Sequence, residues 1–330
     1  MPEPQSGARI AGMGRFAPDK VLSNEDLERI VETSDEWITQ MTGIKERRIA
    51  EPGVCTSDLA AEAAKQAIEN ASVPPEDIDM ILLATATPDM FFPSTACLVQ
   101  AKIGADNAFA YDMAAGCSGF IYGLSIAKQF VTSGTVRNAL VVGAENLSKF
   151  TDMTDRNTCV LFGDGAGAAV VTPSSGDTGL QNFVLGSDGR LGGLLECPAG
   201  GSRMPATRET VDERLHYIKM EGRKVYVNAV KAMGDSVVRV IEEAGLSGDD
   251  VDILFPHQAN IRIIQSVAER AGMPMEKVYV NIDRYGNTSA ASIPIAMTEA
   301  IETGRLKEGM LVALVAFGAG FTWGAMLIRY

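Results

Sequence analysis

The sequence predicts an α/β fold whose sheets are covered by helices and whose unit occurs twice. Two observations carry this. Apolar segments of helical spacing alternate with short apolar runs of strand length, the pattern of a sheet covered on its faces by helices. The order then recurs. Val251–Phe255 follows Ile78–Leu82 by 173 residues, and Thr303-Gly304 follows Ser133-Gly134 by 170 residues. Two near-constant offsets in one order point to an internal duplication of about half the chain.

In chain order, residues 57–72 have the 3.6-residue apolar period of a helix, and Ile78–Thr87 is a buried strand. Residues 93–103 are helical and Ala108–Met113 extended. A helix from about Ser118 to Thr132 leads to a strand at Ala139–Gly143. The Pro-, Ser- and Gly-rich stretch Thr172–Gly179 is the junction, dividing the chain into halves 1–173 and 174–330. In the second half, residues 225–244 form an amphipathic helix before the strand Val251–Phe255. Residues 261–271 are helical and Lys277–Ile282 extended. The helix Ser289–Thr303 ends at Gly304, which suits a C′ position. Leu311–Ala316 is the last apolar strand of the set. The polar, Gly-rich stretch Ala199–Glu213 is a surface excursion.

Composition narrows the function. Of 330 residues, 46% are hydrophobic and 22% charged, an ordinary globular balance. The net charge of -13 argues against a nucleic-acid-binding face. It also requires any acidic partner to dock on a local basic patch. Residues 1–9 lack the apolar core of a signal peptide, and no apolar run is long enough to span a bilayer. A cytoplasmic location is therefore expected. The five cysteines are widely spaced and odd in number, which disfavours a disulfide framework or a zinc site. With only His216 and His257 present, any Cys–His chemistry must use one of these two.

Four segments carry chemistry-bearing residues. Cys117 lies in Met113-Ala-Ala-Gly-Cys-Ser-Gly-Phe120, between a strand and a helix. A helix N-terminus there would stabilise a thiolate, the form that attacks thioesters. A buried cysteine in a tight turn fits the same residues equally. His257, in Phe255-Pro-His-Gln-Ala-Asn260, follows a strand at the sheet edge where α/β ligand sites gather. Asn287, in Arg284-Tyr-Gly-Asn-Thr-Ser-Ala-Ala-Ser292, falls close to the duplicated counterpart of Cys117. A simple helix cap also accounts for it. Ala316-Phe-Gly-Ala-Gly-Phe-Thr-Trp-Gly324 is a Gly-rich bend whose N–H groups suit an oxyanion hole. Phe162-Gly-Asp-Gly-Ala-Gly167 lacks the Lys-Ser/Thr of a phosphate loop and is expected to be a packed turn.

Taken together, these segments resemble the β-ketoacyl-acyl-carrier-protein synthase III family of the thiolase-like superfamily. Thr33-Ser-Asp-Glu-Trp-Ile38, Thr42-Gly-Ile-Lys-Glu-Arg-Arg48, Phe92-Pro-Ser94 and Thr154-Asp-Arg156 add to the likeness, which runs from about Ile10 to Tyr330. The resemblance implies a thiolase-like fold: two duplicated α/β halves forming a five-layered αβαβα core, in a homodimer. It implies that Cys117 takes an acyl group from a short acyl-CoA. Malonyl-acyl-carrier protein then loses CO2, and its carbanion attacks the acyl-cysteine, initiating fatty acid synthesis. By resemblance, His257 and Asn287 complete the catalytic set, and the N–H groups of Cys117 and Ala319 form the oxyanion hole. Trp37 and Arg156 bracket the CoA adenine, Asn260 meets the pantetheine arm, and Arg262 anchors the carrier protein. Phe92 reaches the acyl pocket of a second subunit and Phe317 lies by Cys117. No cofactor is implied, since acyl-CoA is a substrate, and no metal, nucleic acid or membrane partner.

The chain departs from the family pattern twice. Met41 stands where many relatives have Arg, removing one expected contact. Ala319 stands where some have Gly, which would be strained if φ there were positive. Two other readings compete: a starter-unit or quinolone/polyketide-type condensing enzyme of the same family, and a non-catalytic carrier-protein-binding subunit. Intact Cys117, His257 and Asn287 speak against the second.

Overall fold

The strand-length runs assemble into two sheets. A computed structural model describes residues 6–175 and 178–330; residues 176–177, inside the expected junction 172–179, lie outside the described residues. The first sheet contains β1 (Gly7–Phe16), β2 (Met80–Ala84), β3 (Phe109–Met113), β4 (Ala139–Asn146) and β5 (Asp164–Ser174), in the order β1-β5-β4-β2-β3. β2 is parallel to β3 and β4, while β5 runs antiparallel to β4 and β1. The second contains β6 (Gly179–Ser187), β7 (Ile253–Pro256), β8 (Leu311–Gly318) and β9 (Thr322–Arg329), in the order β7-β8-β9-β6. Its pairings repeat the first: β7 is parallel to β8, and β9 is antiparallel to β8 and β6. Lys277–Ile282 would be the fifth strand. It makes one parallel bridge, Leu254 to Val278, where β3 pairs with β2 in the other half.

Helices complete the layers. They are α1 (Asp35–Thr42), α2 (Thr56–Ala71), α3 (Thr95–Ile103), α4 (Gly119–Thr132), α5 (Gly222–Glu242), α6 (Ile261–Arg270) and α7 (Ser292–Glu302). α2 covers the outer face of the first sheet, and α5, with α6 beside it, covers the outer face of the second. α4 and α7 lie between the sheets. The result is the five-layered αβαβα core. Because both faces of each sheet are covered, β4 and β8 are buried at every position, and β8 and residues 139–144 of β4 read as continuous apolar runs. Phe120, Ile121 and Leu124 of α4 and Ile293, Ala296 and Met297 of α7 belong to one buried core between the sheets. Each fully buried large apolar side chain contributes roughly 1.5–3 kcal/mol.

The expected excursion at Ala199–Glu213 carries one helical turn, Arg208–Asp212, capped by the Thr207 hydroxyl. His216 Nε2 meets Thr210 Oγ1 at 2.9 Å. Arg214 donates two hydrogen bonds to the Asp152 carboxylate, at 2.7 and 2.5 Å. His216 thus ties down the excursion. The segment Phe162–Gly167, expected as a packed turn, instead opens β5, and Phe162 bridges Asn287.

Candidate active site

The two halves meet where their turns enter α4 and α7. Residues 116–118 form a single 3-10 turn before α4, and residues 289–291 form the matching turn before α7. Gly116 has φ +50, which a side chain would make costly, and a Cβ there would meet the Ala319 nitrogen at 2.7 Å. A Cβ on Gly318 would collide with the Cys117 backbone nitrogen. These glycines let the Gly318-Ala319 bend pack directly on the Cys117 turn. The positive φ of the bend falls on Gly320 at +145, and Ala319 stays outside the left-handed region. The strain foreseen for Ala319 is therefore absent, and its backbone donor is kept. Ser118 pins the turn: its hydroxyl lies 2.7 Å from both the Ala115 carbonyl and the Thr322 hydroxyl.

Cys117, His257 and Asn287 line one cavity of about 660 Å³, with Phe317 beside them. His257 follows β7, and its backbone N–H donates to Val315 on β8 at 2.8 Å. Its Nδ1 lies 2.7 Å from Ser292 Oγ. That hydroxyl also accepts the Gln258 N–H at 3.4 Å. With the Ser292 hydroxyl donating to Nδ1, the proton of the neutral ring sits on Nε2. Burial depresses His257 to about 3, keeping it neutral at working pH. Asn287 is held on both sides: its N–H donates to Leu161, and its carbonyl accepts from Gly163. Its Oδ1 accepts the Ser289 N–H at 2.8 Å, which leaves the amide hydrogens for the cavity.

Burial pushes the Cys117 thiol up to about 12, with the neighbouring Ser289 side chain opposing the shift. The helix N-terminus expected to favour the thiolate is thus opposed by desolvation of the anion. Behind Ser289 lies Glu145, at the end of β4 and 0% exposed. Burial raises its carboxyl to about 7 despite hydrogen bonds from Thr87 and Ser289. The sequence reading missed Ser289, Ser292 and Glu145. The two serines sat in a motif read only as small residues, and Glu145 followed a strand thought to end at Gly143.

Toward the mouth, the cavity is lined by Trp37, Met41, Asn260 and Arg262, with Arg223 opposite. Arg156 is stacked on the Trp37 ring, 4.4 Å from its centroid, so the pair is closed on itself. Asn260 caps α6: its Oδ1 accepts the Arg262 N–H, and its Nδ2 donates to the Met41 carbonyl, each at 2.8 Å. Met41 Sδ lies 3.7 Å from Arg262 Nη1. An arginine at 41 would place two like charges there, so the departure frees Arg262. Phe92 is elsewhere: it is 84% exposed and outside this cavity, as is its neighbour Phe91 at 78%.

Comparison with known proteins agrees with this geometry. Residues 111–189 match the family described as 3-oxoacyl-[acyl-carrier-protein] synthase III, and residues 241–330 match its C-terminal domain. The β-ketoacyl-[acyl-carrier-protein] synthase III of Caldanaerobacter subterraneus subsp. tengcongensis is 57% identical over 323 residues, 98% of each chain. The chain belongs to the β-ketoacyl-acyl-carrier-protein synthase III family. It is a condensing acyltransferase with the thiolase-like fold. The crystal structure of 3-oxoacyl-[acyl-carrier-protein] synthase III from Aquifex aeolicus superposes with TM-score 0.90 at 50% identity, covering 98% of this chain and 100% of that one. The priming β-ketosynthase of the R1128 polyketide pathway superposes with TM-score 0.91 at 34% identity, covering 99% and 97%.

Proposed function

We propose that Cys117 carries the acyl group between two half-reactions, taking it from a short acyl-CoA and giving it to the carbanion of malonyl-acyl-carrier protein. The observation that supports this is the convergence of Cys117, His257 and Asn287 on one cavity. His257 Nε2–H and the Asn287 amide donate to the malonyl thioester oxygen, which gains enolate charge as CO2 leaves. Donors fixed on that charge lower the barrier without reorganising. The Cys117 and Ala319 N–H groups serve the second oxyanion, on the acyl-cysteine. Phe317 walls the acyl group, and no cofactor is needed.

At the mouth, exposed Arg262 and Arg223 form the basic patch that a chain of net charge -13 needs to receive an acidic carrier protein. Asn260 borders the path of the pantetheine arm. Trp37 and Arg156 take the adenine, for which Arg156 must lift off the indole. We further propose a homodimer. Met90, Phe91 and Phe92 are exposed, as is Phe109 on the edge strand β3, and a second copy would cover them. Phe92 would then enter the second copy's acyl pocket. Among the described residues no helix is long and apolar enough to cross a membrane, and a cytoplasmic site of action fits the substrates.

Initial rates with both substrates varied test the sequence of steps. Parallel double-reciprocal lines are expected; intersecting lines would mean that no acyl-enzyme separates the half-reactions. The likeness to the polyketide priming synthase supports a second reading, a starter-unit enzyme. A preference for longer or branched primers over acetyl-CoA would favour it.

A further inference from the structure

Glu145 is a costly residue that the reaction as described does not use. Its carboxylate is fully buried and its partners are neutral: Thr87 Oγ1 at 2.7 Å, Ser289 Oγ at 2.9 Å, the Ala86 N–H at 3.1 Å and Thr85 Oγ1 at 3.3 Å. Among the described residues no basic side chain pairs with it. Ser289 links it to the nucleophile's surroundings, because the turn at residues 289–291 packs directly on the turn at residues 116–118 that carries Cys117. Ser289 is itself held at φ +49, a conformation few non-glycine residues adopt. Strain of this kind persists where the surroundings impose it, commonly at functional sites.

We propose that Glu145 accepts the Cys117 proton through the Ser289 hydroxyl and holds it for the life of the acyl-enzyme. This rests on Cys117 being the nucleophile. During priming the Cys117 S–H bond breaks, and its proton passes to Ser289 Oγ as the Ser289 proton passes to Glu145 Oε1. The bond from Sγ to the acyl carbon forms, the bond from that carbon to CoA sulfur breaks, and the CoA thiolate takes a proton from solvent. During condensation the carbanion attacks the acyl carbon, the Cys117–acyl bond breaks, and the proton returns from Glu145 by the same path. The pocket never carries a thiolate and a carboxylate together, a pairing that low dielectric makes expensive. A neutral Glu145 also eases entry of the malonyl carboxylate. In this path Ser289 is the step between the sulfur and Glu145, which acts through it as a positioning residue.

Other charged groups around β4 are engaged elsewhere. Asp164 on β5 bonds Ala50 and Ser148, Tyr122 and Lys128 on α4 bond the Gly186 and Gln181 carbonyls, and Asp58 and Glu62 on α2 pair with Lys102 and Lys65. Glu69 on α2 is exposed, and His257 stays neutral beyond Cys117.

The test is the rate of Cys117 alkylation by iodoacetamide from pH 5 to 10, read by mass spectrometry, with thermal melts as a folding control. The native protein is expected to show a rising limb with a midpoint at about 7. Glu145→Gln is expected to lose that limb and react at least tenfold slower at pH 8. Ser289→Ala should match it, the double variant should be no slower, and Glu145→Asp should recover the limb. Alkylation of Glu145→Gln as fast as native or faster would overturn the proposal, because the carboxylate would then only repel the thiolate. If Glu145→Gln does not fold, Ser289→Ala decides by the same criterion. Failure of native Cys117 to be acylated by any acyl-CoA would sink the nucleophile instead, and is read separately.

Discussion

Ser292 Oγ lies 2.7 Å from His257 Nδ1, and a hydrogen donated there keeps the ring proton on Nε2 as a donor to the cavity. Ser292→Ala is expected to lower kcat at least tenfold, about 1.4 kcal/mol, with little change in melting temperature. Asn287→Ala removes a donor to developing charge and is expected to cost roughly 10²–10³ in kcat. His257 also marks the pH dependence of stability. Its folded pKa, about 3, lies below the ordinary 6.5, so the unfolded chain binds the proton first as pH falls. Its contribution is present above pH 6.5 and is lost toward pH 3, by up to about 1.4 kcal/mol per unit. Glu145 runs the other way: its raised pKa favours the folded state at low pH and is lost as pH rises from 4.5 to about 7. Denaturant titrations between pH 7 and 4 should show a shallower acid slope for His257→Asn than for the native chain; equal slopes would refute the assignment.

At the scale of elements, the site depends on two turns touching through glycine. Gly116→Ala puts a side chain at φ +50 against the Ala319 nitrogen, whereas Gly304→Ala at φ +69 meets open space. Calorimetry should show Gly304→Ala losing about 1 kcal/mol. Gly116→Ala should lose more, and turnover with it. The elements themselves were legible in the sequence, because burial on both faces makes β8 and residues 139–144 of β4 continuous apolar runs and period 3.6 marks α2 and α5. Lys277–Ile282 was less so. An apolar segment reads as a strand whether it finds a full ladder or, as here, the single Leu254–Val278 bridge. Cys117, His257 and Asn287 stood out because polar groups at strand ends interrupt apolar runs. Glu145 did not: its burial is made by Thr87 and Ser289, 58 and 144 residues away in the chain.

Across the whole molecule, the duplication is what brings Cys117 and Asn287 together, since each enters a central helix of its own half. That arrangement was readable from two offsets. The electrostatics were readable only in outline, because net charge does not say where arginines gather. At the mouth they are Arg262 and Arg223, and Arg223 carried no motif. Arg262→Glu is expected to raise KM for malonyl-acyl-carrier protein at least fivefold at low salt, with the gap narrowing as ionic strength screens the patch. Phe109→Asp on the edge strand is expected to shift sedimentation from dimer to monomer.

The central claim is that Cys117 forms the acyl-enzyme, and intact-protein mass spectrometry tests it most directly. The protein is mixed with a panel of acyl-CoAs, beside Cys117→Ala. The account predicts one acyl mass added to the native chain, none to the variant, and a preferred increment that names the primer. Acylation that persists in Cys117→Ala, or none from any acyl-CoA in the native chain, would contradict it.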